Sequence, residues 1–496
     1  MRRRLAASLP VLVLGLALAA CAAPAPTATP TSTATPTEAA AGPEPSTTAT
    51  PAPLTAAEVT SMLRQAVCWY EDAASAADCL PPSDEVRAVI ASMGTSEDDR
   101  FVAPLVDMRY LDVGWRRAVD DALEALTGER FEQGIEWYRW LVTARPRLPE
   151  GYVEWKGHLL AFADPAFEAL LGTEASGALR PDLLIWTGTA SGELPALEAP
   201  PTTHASLQAY LDANDVVYSL QVGDVARAYP RRIVAWHGIV QDDLEGARVL
   251  VTFCGPCGGA SAFAPVAGGQ QLTFHDAGLA YDGHRLIADA ETGSLWEPFS
   301  GRAVWGPLAA KGTSLPRIAI HASTWGRWAA EHQNSSVLTL DTGFVRDYTE
   351  GAWSTLGGTP AMPRFPLVEE VDDRLATDAE VVGLVVGASA RAYPVDEIRN
   401  RRIVHDQLGG ASIVLLADGA DAPIRAFASG PLTVATLNAG MTADGEDGLE
   451  GDRWFVLERA LVSTLDGREY PSIATAQGSW LAWSRAYPAT SIFGLE

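Results

Sequence analysis

Residues 249–263 read VLVTFCGPCGGASAF and place two cysteines, Cys254 and Cys257, between two apolar runs. The β-branched and aromatic residues before the first cysteine predict a strand, and the run that ends at Phe263 predicts another. Two glycines, Gly258 and Gly259, follow the second cysteine, and glycine is a poor residue for starting a helix. We therefore expect a strand–turn–strand around the cysteines and not a thioredoxin fold, where the motif opens a helix.

The chain around this stretch is duplicated. Residues 223–263 align without a gap on residues 387–427, at an offset of 164 residues, and the 15 identities in 41 positions include most turn residues. Turn and apolar residues shared at a constant offset indicate two copies of one domain. The second copy lacks the chemically distinctive residues of the first, with Asp418 for Cys254, Asp421 for Cys257 and Arg401 for His237.

The sequence as a whole predicts an α+β protein of several domains. Residues 1–21 are expected to be a lipoprotein signal peptide, and residues 22–53 a disordered linker rich in Ala, Pro and Thr. Apolar residues at three- and four-residue spacing predict an α-helical domain over residues 54–196, and a HEAT-like array is one form it could take. Period-two runs rich in Val and Ile then predict two β-rich domains, at residues 197–350 and 351–496.

Two local patterns refine the helical domain. Thr55, with Glu58 three residues later, is typical of a capping box that starts the first helix. Four tryptophans at helical spacing could stack on a ligand, but we interpret them as core residues, because large aromatic side chains dominate the energetics of buried helix faces; these are Trp115, Trp137, Trp140 and Trp155.

The N-terminus and the charge predict where the protein acts. A positive segment precedes a short apolar run, and residues 18–21, LAAC, match a bacterial lipobox in which Cys21 is acylated. The apolar run is too short for a durable membrane span. We expect an extracytoplasmic protein that this lipid anchor attaches to the membrane. The net charge of -26 disfavours nucleic acid as a partner and leaves open an extracytoplasmic redox or protein partner.

Cys68 and Cys79 are spaced for a local loop in an oxidising compartment, and we predict a structural disulfide between them. Two separate buried thiols are the alternative. The sequence does not reveal the oligomeric state.

Cys254 and Cys257 admit three interpretations. The two-residue spacing lets dithiol and disulfide interconvert, which favours thiol–disulfide redox chemistry without a cofactor, with His237 as a proton acceptor. Alternatively the cysteines bind zinc or copper together with His237 and His275, while His284 is a weaker candidate. The third is a permanent disulfide. A non-catalytic surface scaffold, in which the helical domain and the second copy bind a partner, is a further alternative for the whole protein.

Seven blocks occur in order in the first copy: 226–230 (ARAYP), 236–237 (WH), 252–258 (TFCGPCG), 292–296 (TGSLW), 306–308 (GPL), 324–328 (TWGRW) and 341–343 (DTG). This series resembles the bacterial domain-of-unknown-function family 3179, and the segment 151–171 is similar to the helical region that often precedes that domain. The family has no settled activity. Some relatives carry selenocysteine within the equivalent cysteine pair, so the resemblance implies redox chemistry more than a structural metal site.

Overall fold

A computed structural model describes residues 53–67, 84–112, 114–172, 177, 179–349, 351, 358–368, 370–419, 421–438, 442–447 and 452–495. The predictions for Cys21, Cys68 and Cys79 lie outside these described residues, as do the predicted signal peptide and nearly all of the linker. Pro53–Glu496 forms one compact unit. Among the helices of the described ranges, none combines the length and the apolar character needed to cross a bilayer.

The N-terminal part of this unit is helical, as predicted. The capping box starts the first helix: the Glu58 N–H donates to Thr55 Oγ1 at 3.2 Å, and the Thr55 N–H donates to Glu58 Oε2 at 2.8 Å. The helices of this region are α1 (Ala56–Ala66), α2 (Asp84–Thr95), α3 (Val102–Leu111), α4 (Arg116–Thr127), α5 (Gly134–Ala144), α6 (Tyr152–Leu160) and α7 (Ala166–Leu171). Short 3-10 helices cover Asp99–Phe101, Pro181–Leu183 and, further on, Ala205–Leu207. The HEAT-like arrangement stays a prediction.

The tryptophans of the helical region pack inside it. Trp115, Trp137 and Trp155 are buried in one hydrophobic cluster, and Trp140 packs against that cluster while half-buried. Their burial agrees with their interpretation as core residues.

The first β-rich copy contains three five-stranded sheets. Their strands follow the orders β16-β4-β5-β17-β3, β15-β8-β7-β6-β2 and β1-β11-β12-β13-β14. The elements are β1 (Ile185–Trp186), β2 (Leu197–Glu198), β3 (Thr202–His204), β4 (Val216–Val222), β5 (Val225–Pro230), α8 (Arg231–His237), β6 (Ile239–Leu244), β7 (Ala247–Cys254), β8 (Gly259–Phe263), β9 (Val266–Ala267), β10 (Gln270–Gln271), β11 (Phe274–Tyr281), β12 (His284–Asp289), β13 (Leu295–Glu297), β14 (Arg302–Trp305), β15 (Arg317–Ile318), β16 (His321–Thr324), α9 (Trp325–Glu331) and β17 (Ser336–Leu338).

The second copy repeats the order of elements from β4 to β8 and from β16 to β17 of the first copy. Its sheets are β30-β20-β21-β31, β22-β23-β24 and β25-β26-β27-β28-β29. After the short pair β18 (Gly358–Thr359) and β19 (Met362–Pro363), its elements are β20 (Glu380–Val386), β21 (Ser389–Pro394), α10 (Val395–Arg401), β22 (Ile403–Leu408), β23 (Ala411–Leu416), β24 (Arg425–Ala428), β25 (Thr433–Asn438), β26 (Thr442–Glu446), β27 (Arg453–Val456), β28 (Ala460–Ser463), β29 (Glu469–Pro471), β30 (Thr475–Ser479), α11 (Trp480–Ala486) and β31 (Ser491–Ile492).

The strand registers repeat at the offset found in the sequence. Leu250 pairs with Phe263 between β7 and β8, and Val414, 164 residues later, pairs with Phe427 between β23 and β24. The parallel pairing of β17 with β5 likewise recurs as the pairing of β31 with β21. The two copies therefore share one backbone plan, and they differ in the turn that carries the cysteines.

Candidate functional site

The cysteine pair closes a tight hairpin. β7 and β8 stay paired up to Cys254 and Gly259, and the residues between them form the turn. A disulfide joins Cys254 to Cys257, whose Cα atoms lie 5.0 Å apart. The Cys257 N–H donates to the Cys254 carbonyl at 3.1 Å. The motif therefore lies on a strand–turn–strand, as the sequence predicts, and no helix follows it.

The second copy covers this turn. Ser479, the N-cap of α11, donates its backbone N–H to the Cys257 carbonyl at 2.7 Å and its hydroxyl to the Pro256 carbonyl at 3.3 Å. Strand β30 approaches so closely that a Cβ on Gly259 would lie 2.4 Å from the Gln477 carbonyl oxygen, which explains the need for glycine there. Both cysteines pack in a hydrophobic cluster made mostly of second-copy residues.

The contact between the copies is reciprocal. Thr324, the N-cap of α9 in the first copy, donates its hydroxyl to the Asp421 carboxylate at 3.3 Å. Asp421 is the residue that stands opposite Cys257 in the alignment. Each copy thus places its equivalent turn against the start of the other copy's C-terminal helix.

Cys254 and Cys257 are 5 % and 3 % exposed, and they line different cavities. The small cavity, of ≈ 50 Å³, is lined by Cys254, His237, Asp276 and Arg285 among others. The large cavity, of ≈ 430 Å³, is lined by Cys257 together with residues of all three regions of the chain, from Leu179 to Arg485. A volume of about 50 Å³ holds one or a few waters, whereas small-molecule sites span about 300–1,000 Å³.

An ion pair lies in the small cavity. Arg285 on β12 donates from Nε to Asp276 Oδ1 at 2.9 Å and from Nη2 to Oδ2 at 2.6 Å. Asp276, on the neighbouring strand β11, is buried, and its carboxylate also accepts the Gly278 N–H. A bidentate pair of this kind fixes the guanidinium on the wall of the cavity that Cys254 also lines.

His237 is fully buried and its ring nitrogens are engaged away from the sulfurs. Nδ1 lies 2.8 Å from the Pro195 carbonyl oxygen, which can only accept, so Nδ1 carries the proton. Nε2 then accepts from the Tyr348 hydroxyl at 2.7 Å, and Tyr348 in turn lies 2.6 Å from Thr342 Oγ1. Burial lowers the pKa of His237 and keeps the ring neutral.

These contacts give His237 a positioning role. Its ring also packs against Phe344 and Tyr348, so it holds residues 342–348 in place. No hydrogen bond joins it to Cys254 or Cys257, all three residues being within the described ranges. The predicted proton acceptor therefore lines the same cavity as Cys254 without touching its sulfur.

The other two candidate histidines, His275 and His284, lie at different places on β11 and β12. His275 on β11 is half-buried, and burial lowers its pKa. His284 on β12 lines the large cavity, where Nδ1 donates to the Asp282 carbonyl at 3.1 Å and Nε2 lies 3.6 Å from Glu297 Oε1. In the described part of the chain, no group of three or more His, Cys, Asp or Glu side chains could hold a metal ion. The alternative set of Cys254, Cys257, His237 and His275 is not brought together as ligands.

Sequence reasoning missed the ion pair of the small cavity and the serine that covers the cysteine turn. Asp276 and Arg285 lie on adjacent strands, and nothing in their spacing distinguishes them from solvated charges. Ser479 could have been found, because Ser479 and Thr324 each precede a Trp-x-x-Trp segment and so occupy equivalent positions in the two copies.

Comparisons with known proteins add a family and no activity. The family described as "Protein of unknown function (DUF3179)" matches residues 191–490, which cover both copies and more than half of the chain. No curated protein and no solved structure matches the chain. The match agrees with the resemblance carried by the ordered blocks of the first copy. The chain therefore belongs to the DUF3179 family.

Proposed function

We propose that Cys254 and Cys257 form a redox-active thiol–disulfide pair. The observation that carries the proposal is the position of the disulfide between two cavities, one on the side of each cysteine. A buried pair with a cavity beside it can be reached by a small reactant although almost none of its surface is exposed. The spacing of the motif is the one in which dithiol and disulfide interconvert with little backbone movement.

A purely structural disulfide would contribute little at this place. Cross-linking residues so close in sequence restricts the unfolded chain by only about 2 kcal/mol in the loop-entropy description. The hairpin is already held by ladder pairing up to Cys254 and Gly259, and Ser479 fixes the turn from the other side. These contacts support a function for the sulfurs beyond holding the hairpin closed.

The surroundings of Cys254 suit a thiolate once the pair is reduced. The Cys257 N–H points at Cys254 Sγ at 3.2 Å, while the charge of Arg285 on the wall of the same cavity is already paired with Asp276. The backbone N–H is therefore the group that favours a thiolate at Cys254. A hydrogen bond from a backbone N–H stabilises the thiolate form, the nucleophile and leaving group of thiol–disulfide exchange.

Equilibration in graded redox buffers, followed by alkylation and peptide mass spectrometry, tests this proposal. We expect the pair to titrate at a potential above about -300 mV, the region below which structural disulfides resist reduction. Cys254→Ser and Cys257→Ser should each abolish exchange while the far- and near-UV circular dichroism is kept. A pair that stays oxidised below that potential would be a static disulfide. Zinc or copper bound stoichiometrically to the reduced wild type but not to Cys254→Ser would establish the metal alternative instead.

We also propose that the protein acts outside the cytoplasm on a lipid anchor at Cys21. The lipobox at residues 18–21 and the linker that follows support this location, and an oxidising compartment suits a thiol–disulfide pair. Metabolic labelling with radioactive palmitate should mark the wild type and not Cys21→Ser, and the variant should leave the membrane fraction. Equal labelling of both would refute the anchor.

A further inference from the structure

We infer that Cys257, and not Cys254, is the sulfur that bonds to the substrate, and that the substrate is a low-molecular-mass, largely apolar thiol. This inference rests on the proposed thiol–disulfide function, to which it adds a substrate class and a direction of attack. The first thiol of such a motif is the usual candidate for the exchanging sulfur, and the two cavities reverse that assignment here.

The large cavity has the size and lining of a small-molecule site. Its ≈ 430 Å³ fall within the range of about 300–1,000 Å³ typical of such sites. Beside Cys257, aliphatic side chains from the helical region and from both copies form much of its wall, namely Leu179, Leu286, Leu367 and Leu481.

Three charged side chains of the large cavity, Asp282, Glu297 and Arg485, have partners inside the protein, while the Arg302 side chain is exposed. Arg485 donates to both carboxylate oxygens of Asp282. The Glu297 carboxylate accepts the N–H groups of Phe299 at 2.8 Å and Ser300 at 2.6 Å. Because these charges already have partners, the cavity favours a ligand whose body is apolar.

The small cavity cannot admit such a ligand. Its ≈ 50 Å³ leave room for one or a few waters beside Cys254. The Cys257 N–H directed at Cys254 Sγ makes Cys254 the better leaving group, since a thiol of lower pKa leaves faster. Access and leaving-group ability therefore favour the same direction of exchange. The substrate attacks Cys257, and Cys254 is the leaving group.

The exchange balances as follows. A substrate thiolate attacks Cys257 Sγ, a bond forms between the two sulfurs, the Cys254–Cys257 bond breaks, and its electron pair leaves on Cys254 as a thiolate. A second substrate thiolate attacks the substrate sulfur of the mixed disulfide and releases Cys257 as a thiolate. Two thiols are thus oxidised to one disulfide, and the protein gains two electrons and, on protonation, becomes the dithiol. The reverse sequence, with a small disulfide as oxidant, regenerates the protein disulfide.

The burial of both sulfurs also excludes a cysteine on a folded protein as substrate. Cys254 and Cys257 are almost completely covered, and Cys257 lines a cavity walled by three regions of the chain. A cysteine on a rigid surface cannot enter such a cavity, whereas a free thiol can.

Two disulfide-forming probes of different size test the assignment on the full-length single-cysteine variants. Cys254→Ser leaves the Cys257 thiol and Cys257→Ser leaves the Cys254 thiol; each is treated with methyl methanethiosulfonate or with the bulkier 2,2′-dithiodipyridine. Mass spectrometry of the peptide that contains residues 254–257 gives the rates. We divide the rate with the bulky probe by the rate with the small one, which cancels the intrinsic reactivity of each thiol.

The expected ratio is at least about tenfold higher for the Cys257 thiol than for the Cys254 thiol. The small cavity should slow the bulky probe at Cys254, whereas the large cavity should admit it to Cys257. Ala482→Phe, added to Cys254→Ser, should lower the ratio for Cys257 by narrowing the large cavity. Equal ratios, or a higher one for Cys254, overturn the assignment. If the wild-type pair cannot be reduced at all, the proposed redox function fails, whereas exchange through Cys254 contradicts only this inference.

Discussion

The two copies share a frame and differ at the turn that joins two of its strands. In the first copy Arg227 donates to both oxygens of Asp242 at 2.6 Å, and the Tyr229 hydroxyl donates to the same carboxylate at 2.8 Å. The second copy repeats this network with Arg391, Tyr393 and Asp406. The shared ARAYP block is therefore a structural clamp between strands, and it carries no site chemistry in either copy.

The turns have diverged because they face different surroundings. The first-copy turn is short, holds a disulfide and is covered by Ser479. In the second copy, Asp418 is bound by Arg327 and Arg402, while Asp421 accepts from Thr324. One copy thus keeps a disulfide between cavities, and the other uses the same place for polar contacts between the copies. The second copy belongs to the site as its wall, even though it lacks the cysteines.

The largest expected effect on the free energy of unfolding comes from a glycine that the second copy needs and the first copy does not. A Cβ on Gly383 would lie 2.0 Å from the ring of Trp483, whereas the first copy has Ser219 at the equivalent position. Gly383→Ala should lower the free energy of unfolding by about 3 kcal/mol, since an overpacked core forces backbone and rotamer shifts. Urea unfolding followed by tryptophan fluorescence measures it. Ser219→Ala is the matched control, and an equal loss in both variants would contradict the difference.

The Arg–Asp pair of the clamp should give the next largest change in the free energy of unfolding, again unequal between the copies. Arg227→Ala leaves the Asp242 side chain, 3 % exposed, without its cation, and should cost about 3 kcal/mol. Arg391→Ala leaves Asp406, 15 % exposed, and should cost about 1 kcal/mol because solvent screens the remaining charge. Urea midpoints of both variants decide the order. The comparison fails if the second-copy variant is the less stable one.

The sequence predicted the local structures, which depend on residues close together in the chain. Thr55 and Glu58 form their capping box from three-residue spacing alone, and Gly258 and Gly259 turn the cysteine hairpin without a helix. The contact of Ser479 with the turn was not predictable in the same way, because the two segments lie more than 200 residues apart. Contacts between copies arise from surface fit, and no local spacing records that.

The proton-acceptor role of His237 stays a prediction, and its contacts show why sequence alone could not define it. Its absence from the second copy suggests chemistry, whereas its hydrogen bonds to Pro195 and Tyr348 give it a packing role in the first copy. Residues specific to one copy can serve its packing as well as its reactions, and only the partners of the side chain distinguish the two.

The first copy should also carry the pH sensitivity of the fold. Burial lowers the pKa of three of its histidines, and His321 lies at the contact between the copies, where Nδ1 donates to the Ile424 carbonyl at 3.1 Å. Their folded pKa lies below the unfolded value of about 6.5, so the unfolded state binds more protons as the pH falls past that value. The free energy of unfolding should therefore decrease between about pH 7 and pH 5.

Replacement of His321 tests this dependence. His321→Asn removes a group that is neutral when folded and protonated when unfolded, so the slope of stability against pH should become shallower in that window. His204→Asn, at an exposed position of the same copy, is the control and should leave the slope unchanged. Glu458, whose Oε2 lies 3.1 Å from His321 Nε2, titrates outside this window. Although burial opposes it, the Arg425 guanidinium holds the pKa of the Glu458 carboxyl well below the ordinary value, so Glu458 acts only at more acidic pH. An unchanged slope in His321→Asn would place the sensitivity elsewhere.

The smallest effect is expected where the second copy replaces a cysteine with an aspartate. Asp418 is 26 % exposed and its partners Arg327 and Arg402 are 26 % and 49 % exposed, so Asp418→Asn should change the free energy of unfolding by less than about 1 kcal/mol. The midpoint potential of the Cys254–Cys257 pair should also stay unchanged, because Asp418 meets α9 of the first copy, away from the turn that Ser479 covers. Urea unfolding and the redox titration, run on the same preparation, measure both quantities. A shifted potential with unchanged stability would mean that the two turns communicate through the contact between the copies, so that the aspartates of one copy tune the sulfurs of the other.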